Sequence, residues 1–589
     1  MSKYFLICIF YFIIGVYTVY SKNFIINVEG LEKKLYDNVK DELNSITKDE
    51  IIINNYFYSR LEKIIKDGLK PLGYYDSKIK FNYLKNNYPV ISILTIKVIL
   101  GKPILLKQVN IKLEGEVKND FDFKKIIAKY VPKIGEIQND GDYDFLKNKF
   151  SKLAISKGYF DAVMKKSQLY ISLNNHSSYW NFNFDSGKRY KFGKISYKSS
   201  QIHKDYLNNI TTFKYKDYYS SEKIAEFHNR LLETNWFSFV NVIPVISNIK
   251  KFNSYDIPIE VVVTPKSKNF IELGVGYSTD VGPRFKVTWN KPWINSYGQN
   301  LTSSISIAKH EQLLDTFLKI PLKVNPLEQF YIIQTGLKRI NLNNMQSDTV
   351  TFNISRNLNF SNGWHYSLYT RWMLSNFIQA NISNKTMLIY LGSNISRIRQ
   401  HGGVMPIWGD SQSYSIDYSN NIWKSDVDFF VLQTKHVLIR TPIYRHRFVI
   451  CSNLGLILTN NFEKIPLDLR FFAEGDWKIR GYDYQKNSLE DNYGKLTGAS
   501  KLLFVSAEYQ YNFINSWWGA VFIDIGEAVN NIEINKFKIG TGIGIRLVSP
   551  VGPIKFDFAK SINNLINDKI QFYVSLGAEL WFYQNFWNI

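Results

Sequence analysis

Three residues have the types and setting to do chemistry, one arginine and two aspartates. Arg480 lies in EGDWKIRGYDY (474–484), between a Gly/Asp-rich turn and the pair Gly481-Tyr482. Asp524 and Asp557 interrupt the apolar stretches AVFIDIG (520–526) and IKFDFA (554–559). A guanidinium presents donors in a planar fork that matches a carboxylate, so these types allow a charge-assisted, bidentate pair. Catalysis is not indicated. There is no Gly-x-Ser-x-Gly elbow and no His-Glu-x-x-His, and the 8 histidines are scattered. The 2 cysteines, Cys8 and Cys451, suggest no thiolate metal site. No enzyme activity, cofactor or metal is expected.

The elements that must position these residues alternate with period two. In VSAEYQYNF (505–513), Val505, Ala507, Tyr509, Tyr511 and Phe513 share one face and Ser506, Glu508, Gln510 and Asn512 the other. FKIGTGIGIRL (537–547) sets Phe537, Ile539, Ile543 and Ile545 opposite Lys538, Gly540, Gly542, Gly544 and Arg546. IQFYVSLGAEL (570–580) repeats the pattern. A soluble sandwich would carry charge on its outer face, whereas these apolar faces are long and aromatic-rich. Only helices and closed barrels satisfy their backbone in lipid, so a transmembrane barrel over 267–589 is expected. At roughly 20 residues per strand and connection, it holds about 16 strands.

Strand parity then orients Arg480. Five strands follow it, near 501–513, 518–527, 537–548, 554–560 and 570–581, with tight connections (INSW, SPVGP) alternating with longer polar ones. Short turns face the periplasm in such barrels, so the Arg480 loop begins outside the cell. Asp524 and Asp557 fall on the lumenal face. A loop folding inward would let Arg480 reach them; a solvated arginine above a wet channel fits the same spacing.

Upstream, the chain is an exported, repetitive α+β segment. Lys3, an apolar run from Tyr4 to Tyr20 and Ser21-Lys22 describe a secretory signal peptide over 1–21. GKPILLKQVNIK from Gly101 and GKRYKFGKISYK from Gly187 match at equal offsets. LGYYD (72–76), KGYFD (157–161) and the looser TNWFSFV (234–240) close three helical runs. Each unit reads strand, helix, helix, strand, strand, with domains expected at 22–100, 101–186 and 187–266. A glycine should end the second helix and an aromatic should then pack beneath the helices as core. The net charge of +22 comes from 73 basic against 51 acidic residues, with lysines scattered along the chain, so nucleic acid is not an expected partner.

FFAEGDWKIRGYDY, WWGAVFIDIGEAV, GIRLVSPVGPIKFDFA and QFYVSLGAEL together resemble the TamA family, barrel subunits of the translocation and assembly module, in the superfamily that includes BamA. IELGVGYSTDVGPRFKVTWNKPW from Ile271 and WGDSQSYSIDYSN from Trp408 are similar as well. The resemblance implies three periplasmic POTRA domains and a 16-stranded outer-membrane barrel. It also implies that Arg480, Gly481 and Tyr482 tip an inward loop pinned to the wall, with Asp524 and Asp557 the matching acidic positions. The expected partners are a TamB-like inner-membrane-anchored protein, unfolded outer-membrane protein substrates and outer-membrane lipid. The chain departs from the pattern at Glu474 and Ala578 and in the extension WFYQNFWNI after Leu580.

The first strand, FIELGVGYS (270–278), carries Gly274 and Gly276 on its inward face, and the last carries Gly577. Glycines weaken strand packing, so a seam that opens to accept a nascent strand is expected. The function expected is outer-membrane protein insertion or translocation, with lipid traffic a further possibility. A BamA-type core assembler and a two-partner secretion channel are the alternatives.

Overall fold

The architecture divides where the periodicity changes. The structure is a computed structural model and describes residues 23–46, 54–87, 90–246, 255–278, 282–342, 345–379, 382–472, 479–482, 497–531, 537–550, 552–562 and 570–576. The signal-peptide stretch, Glu474, Gly577, Ala578 and the C-terminal extension lie outside the described residues.

Three N-terminal sheets share one plan. The first comprises β1 (Asn23–Glu29), β2 (Lys78–Asn87) and β3 (Val90–Ile99). The second comprises β4 (Leu105–Glu114), β5 (Val163–Ser172) and β6 (Ser177–Asp185). The third comprises β7 (Lys191–Lys198), β8 (Phe237–Pro244) and β9 (Asp256–Pro265). In each, the last strand lies between the other two. The central pairs β1–β3 and β4–β6 are parallel, so a crossover is needed, and two helices supply it.

Those helices are α1 (Lys33–Leu43) and α2 (Asn55–Leu69), then α3 (Phe121–Tyr130) and α4 (Asp140–Lys157), then α5 (Lys204–Asn208) and α6 (Ser221–Glu233). In the second repeat Phe123, Phe150, Phe182, Phe184 and Tyr159 form an aromatic core between helices and sheet. Asp120 caps α3, its carboxylate accepting from the Asp122 N–H at 3.0 Å.

The expected stop signals hold in two repeats and change in the third. Gly158 ends α4 at φ 87, and Gly73 closes the turn after α2 at φ 89. Asn235 takes that left-handed position (φ 62) after α6. The aromatic that follows is buried as expected, with a partner outside its own repeat. Trp236 is buried but donates its Nε1–H to the Gly298 carbonyl (2.9 Å) in a turn between barrel strands. A Cβ at Gly298 would come within 2.2 Å of the Trp236 ring, which is why the turn needs glycine there.

From Phe270 the chain forms a closed barrel of 16 strands, β10 (Phe270–Ser278) to β25 (Gln571–Leu576), each antiparallel to its neighbours in sequence. A closed barrel is a form in which strands satisfy their backbone hydrogen bonds in lipid. Outward residues are apolar and exposed, for example Ile271, Leu273 and Val275 on β10. Inward residues are polar, with Ser347, Thr349, Thr351, Asn353 and Ser355 alternating along β15 (Met345–Asn359). No helix among the described residues is long and apolar enough to cross a membrane.

Candidate functional site: a lumenal arginine cluster and the barrel seam

Four consecutive strands build the wall that receives Arg480. They are β21 (Lys501–Ile514), β22 (Trp517–Val529), β23 (Lys538–Ser549) and β24 (Gly552–Ser561), close to the spans read from periodicity. Register, rather than sequence spacing, gathers the acidic groups. Ser506 faces Asp524 across β21–β22, Asp524 faces Gly540 across β22–β23, and Gly544 faces Asp557 across β23–β24.

The connection between β20 (His446–Thr459) and β21 brings Arg480 onto this wall. Its Nε and Nη2 donate to the two oxygens of Asp524 at 2.7 and 2.8 Å, the bidentate fork that the residue types allow. Nη1 donates to Glu508 at 3.0 Å and to Asp557 at 3.2 Å. The Arg480 N–H also reaches Asp524 (3.1 Å), and the guanidinium carbon lies 3.3 Å from the Phe522 ring centroid. Arg480 is therefore a lumenal ligand of both expected aspartates, and the solvated alternative does not describe it.

The tip's backbone is equally fitted. Gly481 has φ 98, and a Cβ there would lie 2.6 Å from the Lys560 carbonyl carbon, so glycine is required on both counts. Its N–H donates to the Tyr573 hydroxyl (3.2 Å), which in turn donates to the Tyr482 carbonyl (3.0 Å). Tyr482 and Ile479 pack with Val437, Ile439 and Phe504, against which Val449 and Cys451 lie. Gly540 makes room for the tip, since a Cβ there would sit 1.8 Å from the Arg480 carbonyl oxygen.

Sequence reasoning missed two of the five charged groups, Glu508 and Arg546. Arg546 is fully buried, donates from Nη1 to Asp557 (2.5 Å) and from Nε to Glu508 (3.0 Å), and so holds two of the three carboxylates from below the tip. Ser506 donates to Asp524 (2.6 Å) and Gln510 to Glu508 (2.6 Å). Period two had already placed Glu508 and Arg546 on the lumenal face. Aligning neighbouring strands by register would have joined them to Asp524 and Asp557.

The seam is where β10 meets β25. Among the described residues their register has a single pair, Ser278 opposite Ser575. The other edge of β10 pairs with β11 (Gly282–Lys291) along its whole length, from Phe270 to Ser278. Gly274 and Gly276 alternate with the outward Ile271, Leu273 and Val275, so they face inward. Among the described residues neither relieves crowding: a Cβ at Gly276 would meet nothing within 4 Å, and one at Gly274 only ordinary contacts from 3.7 Å.

A lipid-facing antiparallel barrel of 16 strands, with an inward arginine loop and preceded by β-α-α-β-β repeats, defines a POTRA-bearing outer-membrane barrel. Residues 267–580 match the Omp85 superfamily domain, and residues 25–98 match the first POTRA domain of TamA. The chain belongs to the Omp85 superfamily. Its barrel resides in the bacterial outer membrane, and the POTRA repeats lie in the periplasm.

The outer membrane protein assembly factor BamA of Buchnera aphidicola subsp. Acyrthosiphon pisum (strain APS) is 27% identical over 209 residues, which is 34% of this chain and 33% of that protein. The match thus spans about a third of that relative's length. The crystal structure of Haemophilus ducreyi BamA lacking POTRA domains 1–3 superposes with a TM-score of 0.68 at 14% identity, covering 80% of this chain and 99% of that one. At that identity the likeness concerns the fold.

Proposed function

We propose that this protein inserts or translocates polypeptides at the outer membrane, using the β10–β25 seam as the point of entry and the Arg480 loop as a lid. The observation that carries this reading is the seam itself. β10 pairs with β11 along its whole length, its other edge closes the barrel against β25, and its inward glycines meet no crowding among the described residues. A strand that parts there offers backbone donors and acceptors to an incoming strand, which keeps hydrogen bonds satisfied in lipid by β-augmentation. The chemistry is exchange of hydrogen-bonded partners rather than catalysis.

The ion cluster gives the lid a defined closed position. The tip occupies the lumen, which supports an assembly role over a passive pore or secretion channel. Three carboxylates and two guanidinium groups hold it, and loss of one cation disturbs the rest. A TamB-like partner docked on the POTRA repeats, and a part in lipid traffic, follow from the family resemblance; affinity capture from envelope membranes tests the partner.

A Ser278→Cys/Ser575→Cys disulfide tests the seam. The oxidised protein should lose substrate insertion and regain it on reduction. Full insertion by the cross-linked protein would refute the gate.

A further inference from the structure

The lid loop has a second ionic attachment, on the other side of the lumen, formed by a residue of opposite charge. Asp468 lies in the short 3-10 turn Leu467–Leu469, twelve positions before Arg480. Its carboxylate sits 2.9 Å from Lys338 Nζ and accepts from the Thr349 hydroxyl at 2.8 Å. Lys338 on β14 (Gln329–Leu342) and Thr349 on β15 are directly opposed across the ladder. This is the arrangement of the Arg480 site, where the opposed pair Ser506–Asp524 lies on β21 and β22. The two wall pairs are seven strands apart in a ring of 16, so they face each other nearly across the lumen.

Other contacts show that this attachment is built rather than incidental. The Lys338 and Asp468 side chains are 16% and 7% exposed, so the pair is largely desolvated and unpairing either partner is costly. Leu467 packs with Met345 and Phe377 on the same wall. Thr386 donates to the Lys464 carbonyl (2.8 Å) and Asn384 to the Glu463 carbonyl (3.1 Å). Arg470 joins the outgoing and returning limbs, donating to the carbonyls of Ile465 (2.8 Å), Glu463 (2.8 Å) and Thr497 (2.7 Å). The limbs also pair directly, Phe471 with Ala499.

We infer that Asp468, held by Lys338 and Thr349, is a positioning residue that anchors the base of the lid independently of Arg480, so that the loop is fixed to the lumenal wall at two separate points. Breaking the Arg480 cluster frees the tip and leaves the base in place. Full withdrawal requires both attachments to part. This rests on the lid reading of the loop, but it concerns where the loop sits and is measured without substrate.

The test uses purified full-length protein in planar lipid bilayers, in the Arg480→Ala background, with barrel folding checked by heat-modifiable gel migration. Lys338→Asp places a carboxylate against Asp468 and beside Glu311, which lies 3.6 Å from the lysine. Time-averaged conductance should rise at least about tenfold over Arg480→Ala alone. Adding Asp468→Lys should return it to the Arg480→Ala level, which a generic wall defect would not do. Asp468→Asn, which leaves the wall unaltered, should move conductance in the same direction as Lys338→Asp and serves if that variant fails to fold. Unchanged conductance in the folded single-site variants, or a swap that stays as conductive as Lys338→Asp, would overturn the second anchor. The insertion reading would still stand or fall on the seam disulfide.

Discussion

Replacing Arg480 with alanine should release the lid tip. The side chain is 13% exposed and serves Asp524 (1% exposed), Glu508 and Asp557 at once. Its loss leaves Glu508 and Asp557 on Arg546 and leaves Asp524 with the Ser506 hydroxyl. Removing one partner of a buried pair costs about 3–5 kcal/mol, because the remaining charge stays desolvated. At 1.36 kcal/mol per tenfold, the seated tip loses about 150- to 5,000-fold in population relative to the released one. Lumenal water screens part of this, so the lower figure is the working expectation.

Cys451 reports the change, since it packs beside Ile479 and Tyr482 and is the only cysteine beyond residue 8. A water-soluble maleimide should label Cys451 in the Arg480→Ala protein at least about a hundredfold faster than in the parent. Arg480→Lys keeps the charge and loses the fork, which places it between the two. Asp524→Asn leaves Glu508 and Asp557 on the guanidinium and should do less than Arg480→Ala. Parent-rate labelling of a correctly folded Arg480→Ala barrel would refute the latch.

Three further outcomes follow from the same geometry. Gly540→Ala should mimic Arg480→Ala in Cys451 labelling without touching any charge, because its methyl group would occupy the site of the Arg480 carbonyl. Gly276→Ala should leave folding intact, since space is open there, but it stiffens β10 by about 0.5–1 kcal/mol and should slow substrate insertion roughly two- to fivefold. In the periplasmic repeats, burial pushes the Asp120 carboxyl up, but bonds from Lys157, the Asp122 N–H and Tyr159 outweigh it and hold it below the usual carboxylate range. A lowered folded-state pKa means that its stabilisation is present above the ordinary value of about 4 and fades as pH falls below it. Asp120→Ala should therefore speed amide exchange across 121–157 at neutral pH, by about 1 kcal/mol or more for the lost cap, and the difference from the parent should shrink in acid. Equal exchange at pH 7 would count against the cap.

What the chain discloses without a structure depends on whether the physical rule is local. Period two is local, so strands β21 to β24 and the inward facing of Asp524 and Asp557 were legible, and so was the count of five strands after Arg480. The glycine stop of α4 is local as well. Register is not. Glu508 and Arg546 look like ordinary lumen-lining residues until β21, β22, β23 and β24 are slid into alignment, and then Gly544 proves to be the gap that lets Asp557 and Arg546 meet. A Cβ at Gly544 would stand 2.1 Å from Asp557 Oδ1 and 2.6 Å from Arg546 Nη1. The glycines of GIGIR were thus readable as one face of an alternating strand but not as a mould for charged neighbours. Asp468 and Lys338 are further apart still, 130 positions in sequence, and are joined only because the chain after β20 turns back onto β14. The same reasoning explains Trp236: a local pattern made it core, and whether that core belonged to its own repeat or to the Gly298 turn was decided by a contact no window of sequence contains.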